Sequence, residues 1–218
     1  MTNQENFAKA FKWMQELRNR YLHTIAAFTI YEEFQKIAAP NVVGKKRAEK
    51  NVHTFSRHLY FFAPLKESAR CYFFIELVKF FDKNKRGQSL TIETLFDLVE
   101  NHFSSFSKEE FLKYHMGRYF IPELFESYKE FSRKDINNFK ERLKRNKKII
   151  DDLKTYRDKF LVHADINKNE VKITAGQIKI LLKIVKNAVD IFYRKLDFAS
   201  NAYSNYDEEP AKAVNNED

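Results

Sequence analysis

The 218-residue chain has only four glycines and four prolines, which argues against a turn-rich β protein and favours long helices. Its single cysteine excludes an intrachain disulfide, and no apolar run reaches the roughly 18 residues that a membrane span needs. The formal net charge of +9 favours a polyanionic partner, and RNA is a natural candidate. The first residues do not resemble a secretion signal, so the expected location is cytoplasmic, with no membrane partner.

The positive charge is unevenly distributed along the chain. Residues 201–218 contain five acidic residues and one lysine, so they carry −4 and leave +13 on the first 200 residues. This segment is expected to be a disordered acidic tail, and residues 1–200 are expected to form a single helical domain. Residues 129–148 hold nine basic and three acidic side chains, which indicates either a nucleic-acid contact or an ordinary solvated helix face.

The first third of the chain is predicted to contain three helical segments. Apolar residues at steps of three and four predict one long helix over residues 3–38. A second helix is predicted from Lys45 to Phe62, with Pro64 in the first turn of the helix that follows. Residues 65–82 are apolar on two sides, which indicates a central, well-buried helix.

The middle of the chain is predicted to form shorter helices. The first covers residues 91–102. Ser107 with Glu110 is a capping-box pattern that opens the next, and Pro122 opens another that ends near Phe131. These elements give the middle of the chain the same all-α character as its start.

The last third is predicted to contain two long helices. Ser132 with Asp135 begins the penultimate helix, whose apolar stripe is broken at Asn146. Thr174 with Gln177 is a capping-box pattern that opens the final helix.

The densest chemistry lies at residues 156–165, where Arg157 and His163 stand six positions apart. On a straight helix they fall on different faces, but a helix that ends near Val162 lets the imidazole turn back toward the guanidinium. Histidine can move a proton near neutral pH, and arginine offers a phosphate a fixed planar charge. RNA cleavage through the neighbouring 2′-hydroxyl needs only these two functions and no metal. The alternative is an ordinary helix end, where Arg157 pairs with Asp158 or a neighbour and His163 caps the last carbonyls.

The string RDKFLVHAD at residues 157–165 resembles the Arg-x(4–6)-His signature of HEPN domains (higher eukaryotes and prokaryotes nucleotide-binding). This string is especially similar to the corresponding sequence of the abortive-infection AbiU branch. Residues 73–83, followed by Ser89 and Leu90, resemble an earlier core helix of that branch. The resemblance implies an all-α, HEPN-like helical bundle with extra N-terminal and middle helices.

The resemblance also implies a function. HEPN domains commonly form homodimers in which two Arg-x-His motifs face one another across a cleft, and many are metal-independent ribonucleases of abortive-infection or toxin–antitoxin defence. No cofactor is implied, and an antitoxin or another defence-system protein is an implied partner. Asp165 stands where the toxin branch neutralised by adenylylation has a tyrosine, which argues against that form of control. The alternative is a non-catalytic HEPN module that binds a nucleotide or a partner protein.

The candidate site residues fall into three groups. Arg157 and His163 are the catalytic pair. Asp158 and Asp165 are expected to orient His163 or to hold Arg157, and Tyr156 is the one aromatic residue expected to stack a base. The cations expected to contact RNA are Lys140, Arg142, Lys144, Arg145, Lys147, Lys148 and Lys159. No metal site is expected, because the six histidines are too scattered in sequence.

Overall fold

Every regular element in the described part of the chain is helical, as the sequence predicts. The computed structural model describes residues 2–82, 89–117, 126, 128–162 and 172–197, with the backbone alone for residues 160–162. In chain order the helices are α1 (Asn3–Lys36), α2 (Pro40–Val43), α3 (Lys45–Arg57), α4 (Leu59–Lys79), α5 (Ile92–Asn101), α6 (Lys108–Tyr114), α7 (Arg133–Arg145), α8 (Lys147–Tyr156) and α9 (Ala175–Leu196). A 3-10 turn (Phe103–Phe106) precedes α6, and a π-helical turn (Arg157–Val162) follows α8.

Helix α1 is the element around which the others pack. It begins with a capping box between Thr2 and Glu5, and it contacts α4, α5, α6 and α9. Its apolar residues recur at helical spacing, so one broad face is buried against these neighbours. The buried apolar residues of α1 are Phe7, Ala10, Phe11, Met14, Leu17, Tyr21, Ala27 and Phe28. The predicted long helix is therefore confirmed, and it forms the centre of the core.

Helix α4 is buried only in its second half. Phe73, Leu77 and Val78 have no exposed surface, whereas Tyr60 and Phe61 in the first turn are 97% and 66% exposed. The prediction of a central, buried helix over residues 65–82 is correct for the residues that pack on α1, whereas Tyr60 and Phe61 precede the predicted segment. Apolar composition alone could not separate the two halves, because aromatic residues are equally dense in both.

Pro64 does not lie where the sequence predicts. Helix α4 begins at Leu59, directly after a break at His58, so Pro64 occupies an interior position instead of the first turn. Proline has no N–H to offer the carbonyl of Tyr60, four residues earlier. Since Tyr60 lies at the surface, water can satisfy that carbonyl. The interior proline is tolerated because this part of α4 is exposed.

The predicted helix starts are largely confirmed. Capping boxes form at Ser132 with Asp135 and at Thr174 with Gln177. At α6 the Ser107 hydroxyl accepts from the backbone N–H of Glu110, but the Glu110 carboxylate pairs instead with Gln4 and Lys113. That box is therefore only half formed, because the acidic side chain binds Gln4 of α1 and Lys113 of its own helix.

The long penultimate helix is two helices. Helix α7 ends at Arg145 and α8 begins at Lys147, with Asn146 between them. The side chain of Asn146 donates to the carbonyl of Arg142, a local bond that competes with helix continuation. The interruption in the apolar stripe at Asn146 thus marks a real break.

Several predicted features lie outside the described residues. These are the tail at 201–218, most of the short helix expected after Pro122, and both His163 and Asp165. Among the helices that the structure describes, none combines the length and the apolar character that a membrane crossing needs.

The packing of α5 gives a test of this fold. Phe96 has no exposed surface, stacks on Phe139 at 4.1 Å between ring centroids, and meets Phe192 at 4.6 Å. We expect Phe96→Ala to lower the free energy of unfolding by about 3–5 kcal/mol, because it leaves a cavity where α5, α7 and α9 meet. The matched variant Phe61→Ala, on an exposed ring, should change it by no more than about 0.5 kcal/mol. Urea denaturation measures both, and equal losses would contradict the assigned packing.

Candidate functional site

The regular α-helix ends where the Arg-x-His motif begins. Helix α8 runs to Tyr156, and residues Arg157–Val162 form a π-helical turn. Such turns are rare and occur frequently at functional sites. The helical geometry therefore changes at the start of the motif, and His163, the next residue in sequence after the turn, lies outside the described residues.

Arg157 is held by two carboxylates. Its Nε donates to Oδ1 of Asp158 at 2.7 Å, and its Nη1 donates to Oδ2 of Asp82 at 2.6 Å. The contact with Asp158 was expected from the sequence and is confirmed. The contact with Asp82 was not predicted, since 75 positions separate the two residues.

Asp82 connects the motif to the end of α4. It follows the buried residues Phe80 and Phe81, and its second oxygen lies 3.7 Å from Nζ of Lys154. Asp82 therefore lies between two cations of the α8 region. Its only signal in the sequence was its place in the stretch 73–83 that resembles the AbiU branch.

The electrostatics of the site favour a permanently charged guanidinium. The carboxylate of Asp158 first, and then that of Asp82, raise the pKa of Arg157 above its ordinary value, against an opposing effect of partial burial. Arginine is already charged at every physiological pH. The site therefore contains a fixed positive charge that two carboxylates neutralise locally.

Tyr156 lies against the core instead of offering an open face. Its ring packs on Phe74 at 4.6 Å between centroids, and its hydroxyl accepts from Nη1 of Arg70 at 2.5 Å. Arg70 also pairs with Glu67. Partial burial raises the pKa of Tyr156, and the charge of Arg70 opposes that shift. These contacts favour a structural role over base stacking, because one face of the ring is already covered.

The cations expected to contact RNA are mostly exposed, and all of them except Lys159 lie outside the turn that contains Arg157. Lys140 pairs with Glu100, and Arg145 pairs with Glu141 at 2.9 Å. Lys148 lies nine residues before Arg157, roughly 13 Å along α8 and on the opposite face. The remaining expected cations with exposed side chains are Arg142, Lys144 and Lys147. Lys159 is half-buried in the π-helical turn. Lys154, which was not predicted, is the additional cation at the site.

The described residues contain no cluster of three or more histidine, cysteine, aspartate or glutamate side chains with the arrangement of a metal site.

Comparison with known families identifies the chain. The family model of the HEPN domain AbiU2 matches residues 8–216. The chain belongs to the AbiU2 family of HEPN domains. Searches of curated proteins and of solved structures found no match.

Membership in the AbiU2 family confirms the resemblance drawn from the two sequence stretches. It makes this chain an abortive-infection-related HEPN domain. The match covers Asp82, Arg157 and His163, and it extends across every described helix from the first turns of α1 onward. In this AbiU2 chain the doubly paired arginine therefore lies six positions before the motif histidine in sequence.

The contact between α4 and α8 gives a test of the scaffold beneath the site. We expect Tyr156→Phe to lower the free energy of unfolding by about 1 kcal/mol, because Arg70 loses its hydroxyl acceptor while the ring stays on Phe74. Tyr60→Phe is the control, since Tyr60 is almost fully exposed. Denaturant unfolding compares them, and identical stabilities would show that the hydroxyl bond contributes nothing.

Proposed function

We propose that this protein is a metal-independent endoribonuclease of a prokaryotic abortive-infection or toxin–antitoxin defence system, located in the cytoplasm. The observation that carries the proposal is the position of Arg157. A charged guanidinium, only 21% exposed and held by two carboxylates, lies in an unusual helical turn directly before His163 in a HEPN chain. Nothing about core packing requires an arginine with two carboxylate partners at this point.

The proposed chemistry uses the substrate's own nucleophile. The 2′-hydroxyl oxygen attacks the adjacent phosphorus, a new bond to O2′ forms, and the bond from phosphorus to O5′ breaks. The 2′-hydroxyl gives its proton to a base, and the leaving O5′ receives a proton from an acid. The products are a 2′,3′-cyclic phosphate and a 5′-hydroxyl. Arg157 stabilises the extra negative charge on the phosphorane, and His163 is the proton carrier.

A homodimer would supply both proton carriers. One chain has one His163, whereas the reaction benefits from a base at O2′ and an acid at O5′. A two-fold axis beside residues 157–163 would bring two identical motifs to one cleft, because an isologous interface uses the same patch twice. The two-fold arrangement also explains why Arg157 needs carboxylate partners, since two unpaired guanidiniums in one cleft would repel each other.

The exposed cations of α7 and of the first turn of α8 are proposed to bind RNA outside the cleft. Arg142, Lys144, Lys147 and Lys148 are exposed on consecutive turns. At a distance of more than a helical turn from Arg157 they can contact phosphates that flank the cleaved bond. Their effect would be on affinity and on its salt dependence, not on the chemical step.

Loss of either motif residue should abolish cleavage. We expect Arg157→Ala and His163→Ala each to lower the cleavage rate by roughly 10²–10⁴-fold, because each removes charge stabilisation or proton transfer. The assay uses labelled RNA with EDTA present and identifies the 2′,3′-cyclic phosphate end. Arg47→Ala and His53→Ala, both exposed on α3, are matched controls that should keep the wild-type rate.

Two results would contradict the ribonuclease assignment. The first is equal cleavage by the wild type and the double variant. The second is saturable binding of RNA or of a nucleotide by the wild type with no cleavage, which would favour a non-catalytic HEPN module.

Mixing inactive variants tests the shared site. We expect heterodimers of an Arg157→Ala chain with a His163→Ala chain to regain part of the activity, because one intact arginine and one intact histidine then meet in the same cleft. Each chain is first purified alone and shown to be inactive, and the mixture is assayed after subunit exchange. Heterodimers as inactive as their parents, or full cleavage by a monomer at micromolar concentration, would rule out a composite site.

A further inference from the structure

The two carboxylates on Arg157 contact different parts of the guanidinium. Asp158 accepts from Nε, while Asp82 accepts from Nη1. Nε and Nη2 form one edge of the planar group, with two N–H bonds that point the same way. That edge suits bidentate binding of two oxygens of one phosphate. Nη1 and Nη2 form a second edge of this kind, and Asp82 occupies its Nη1, so each carboxylate covers part of a different edge.

The two carboxylates also differ in how firmly they are held. Asp82 follows Phe80 and Phe81, which are buried, and it lies near Lys154 as well as Arg157. Asp158 is the neighbour of Arg157 in sequence and its side chain is 55% exposed, against 38% for Asp82. An ion pair as exposed as that of Asp158 is weak in water, so it can be exchanged at little cost. If Asp82 moved away, both Arg157 and Lys154 would lose a carboxylate partner.

We infer that Asp82 is a positioning residue that stays on Nη1 of Arg157, while Asp158 is an internal competitor that leaves the Nε edge when a substrate phosphate binds there. This inference rests on the proposed function, because it concerns the substrate of the same site. Before RNA binds, the guanidinium is neutralised on two sides. When the phosphate arrives, Asp158 moves into solvent and the guanidinium keeps its orientation through Asp82.

The inference predicts opposite effects for the two carboxylates. Asp158→Asn removes the competing charge and keeps the shape of the side chain, so phosphate should bind more tightly. Asp82→Asn weakens the contact that fixes the guanidinium, so the phosphate still binds but the arginine is misplaced for the transition state. Asp151→Asn is the control, because Asp151 is exposed on the same helix and its removal changes the local charge equally without touching Arg157.

Binding and turnover are measured separately. Binding uses a fluorescent 2′-O-methyl RNA oligonucleotide, which cannot be cleaved through the 2′-oxygen. We expect Asp158→Asn to lower its Kd by up to about fivefold relative to Asp151→Asn. We expect Asp82→Asn to lower kcat by roughly 10–100-fold while its Kd stays within about twofold of the control. A purely structural role for Asp82 would instead lower stability and both parameters together, so thermal unfolding is measured on the same samples.

A second measurement keeps the inference testable if the protein does not cleave RNA. The Nε–H signal of Arg157, assigned from its loss in Arg157→Lys, is followed by NMR during titration with inorganic phosphate. In Asp158→Asn that signal should shift at a lower phosphate concentration than in the wild type or in Asp151→Asn.

Absence of cleavage by the wild type would overturn the ribonuclease proposal alone. The inference itself is overturned if Asp158→Asn binds phosphate no better than Asp151→Asn, or if Asp82→Asn leaves the Arg157 signal and kcat unchanged.

Discussion

The packing of the second half of α4 against α1 is the constraint on which the site depends. Phe73, Leu77 and Phe80 have no exposed surface, and Phe73 meets Phe28 of α1 at 5.3 Å between ring centroids. Large buried aromatic contacts of this kind dominate core energetics and tolerate little displacement. Asp82 follows directly on this anchored segment, so the core holds the backbone from which its carboxylate projects. The guanidinium of Arg157 is then paired with a carboxylate that starts from an anchored position.

The two halves of helix α4 have different roles. Its second half supplies core packing and, through Asp82, one partner of the motif arginine. Its first half is exposed, contains Pro64 in its interior, and follows a break at His58. The two halves share one continuous helix, although the first half reaches its neighbours mainly through Phe62, which meets Phe34 of α1 and Phe55 of α3. Arg70, near the middle, joins the exposed side to the site through its bond to Tyr156.

Interactions between residues close in sequence could be predicted, and those between distant residues could not. The capping boxes of α7 and α9, the long first helix and the pair between Arg157 and Asp158 are local, and all were predicted. The all-α class followed from composition, and the family followed from two short strings. The contact between Arg157 and Asp82 could not be derived, because no local pattern encodes a pairing across 75 positions. The prediction for Pro64 was wrong for a related reason. A proline is tolerated inside this helix because the surrounding turn is exposed to solvent, and helix propensities do not describe exposure.

The order of the helices has a consequence for synthesis on the ribosome. Helix α9 contributes nine buried residues to the core and packs on α1, yet it is made after every other helix described here. A nascent chain that already contains Arg157 still exposes the apolar face of α1 that α9 will cover. Domains fold as units once their complementary surfaces are present. We therefore expect the arginine and its carboxylate partners to reach their native arrangement only after α9 has left the ribosome.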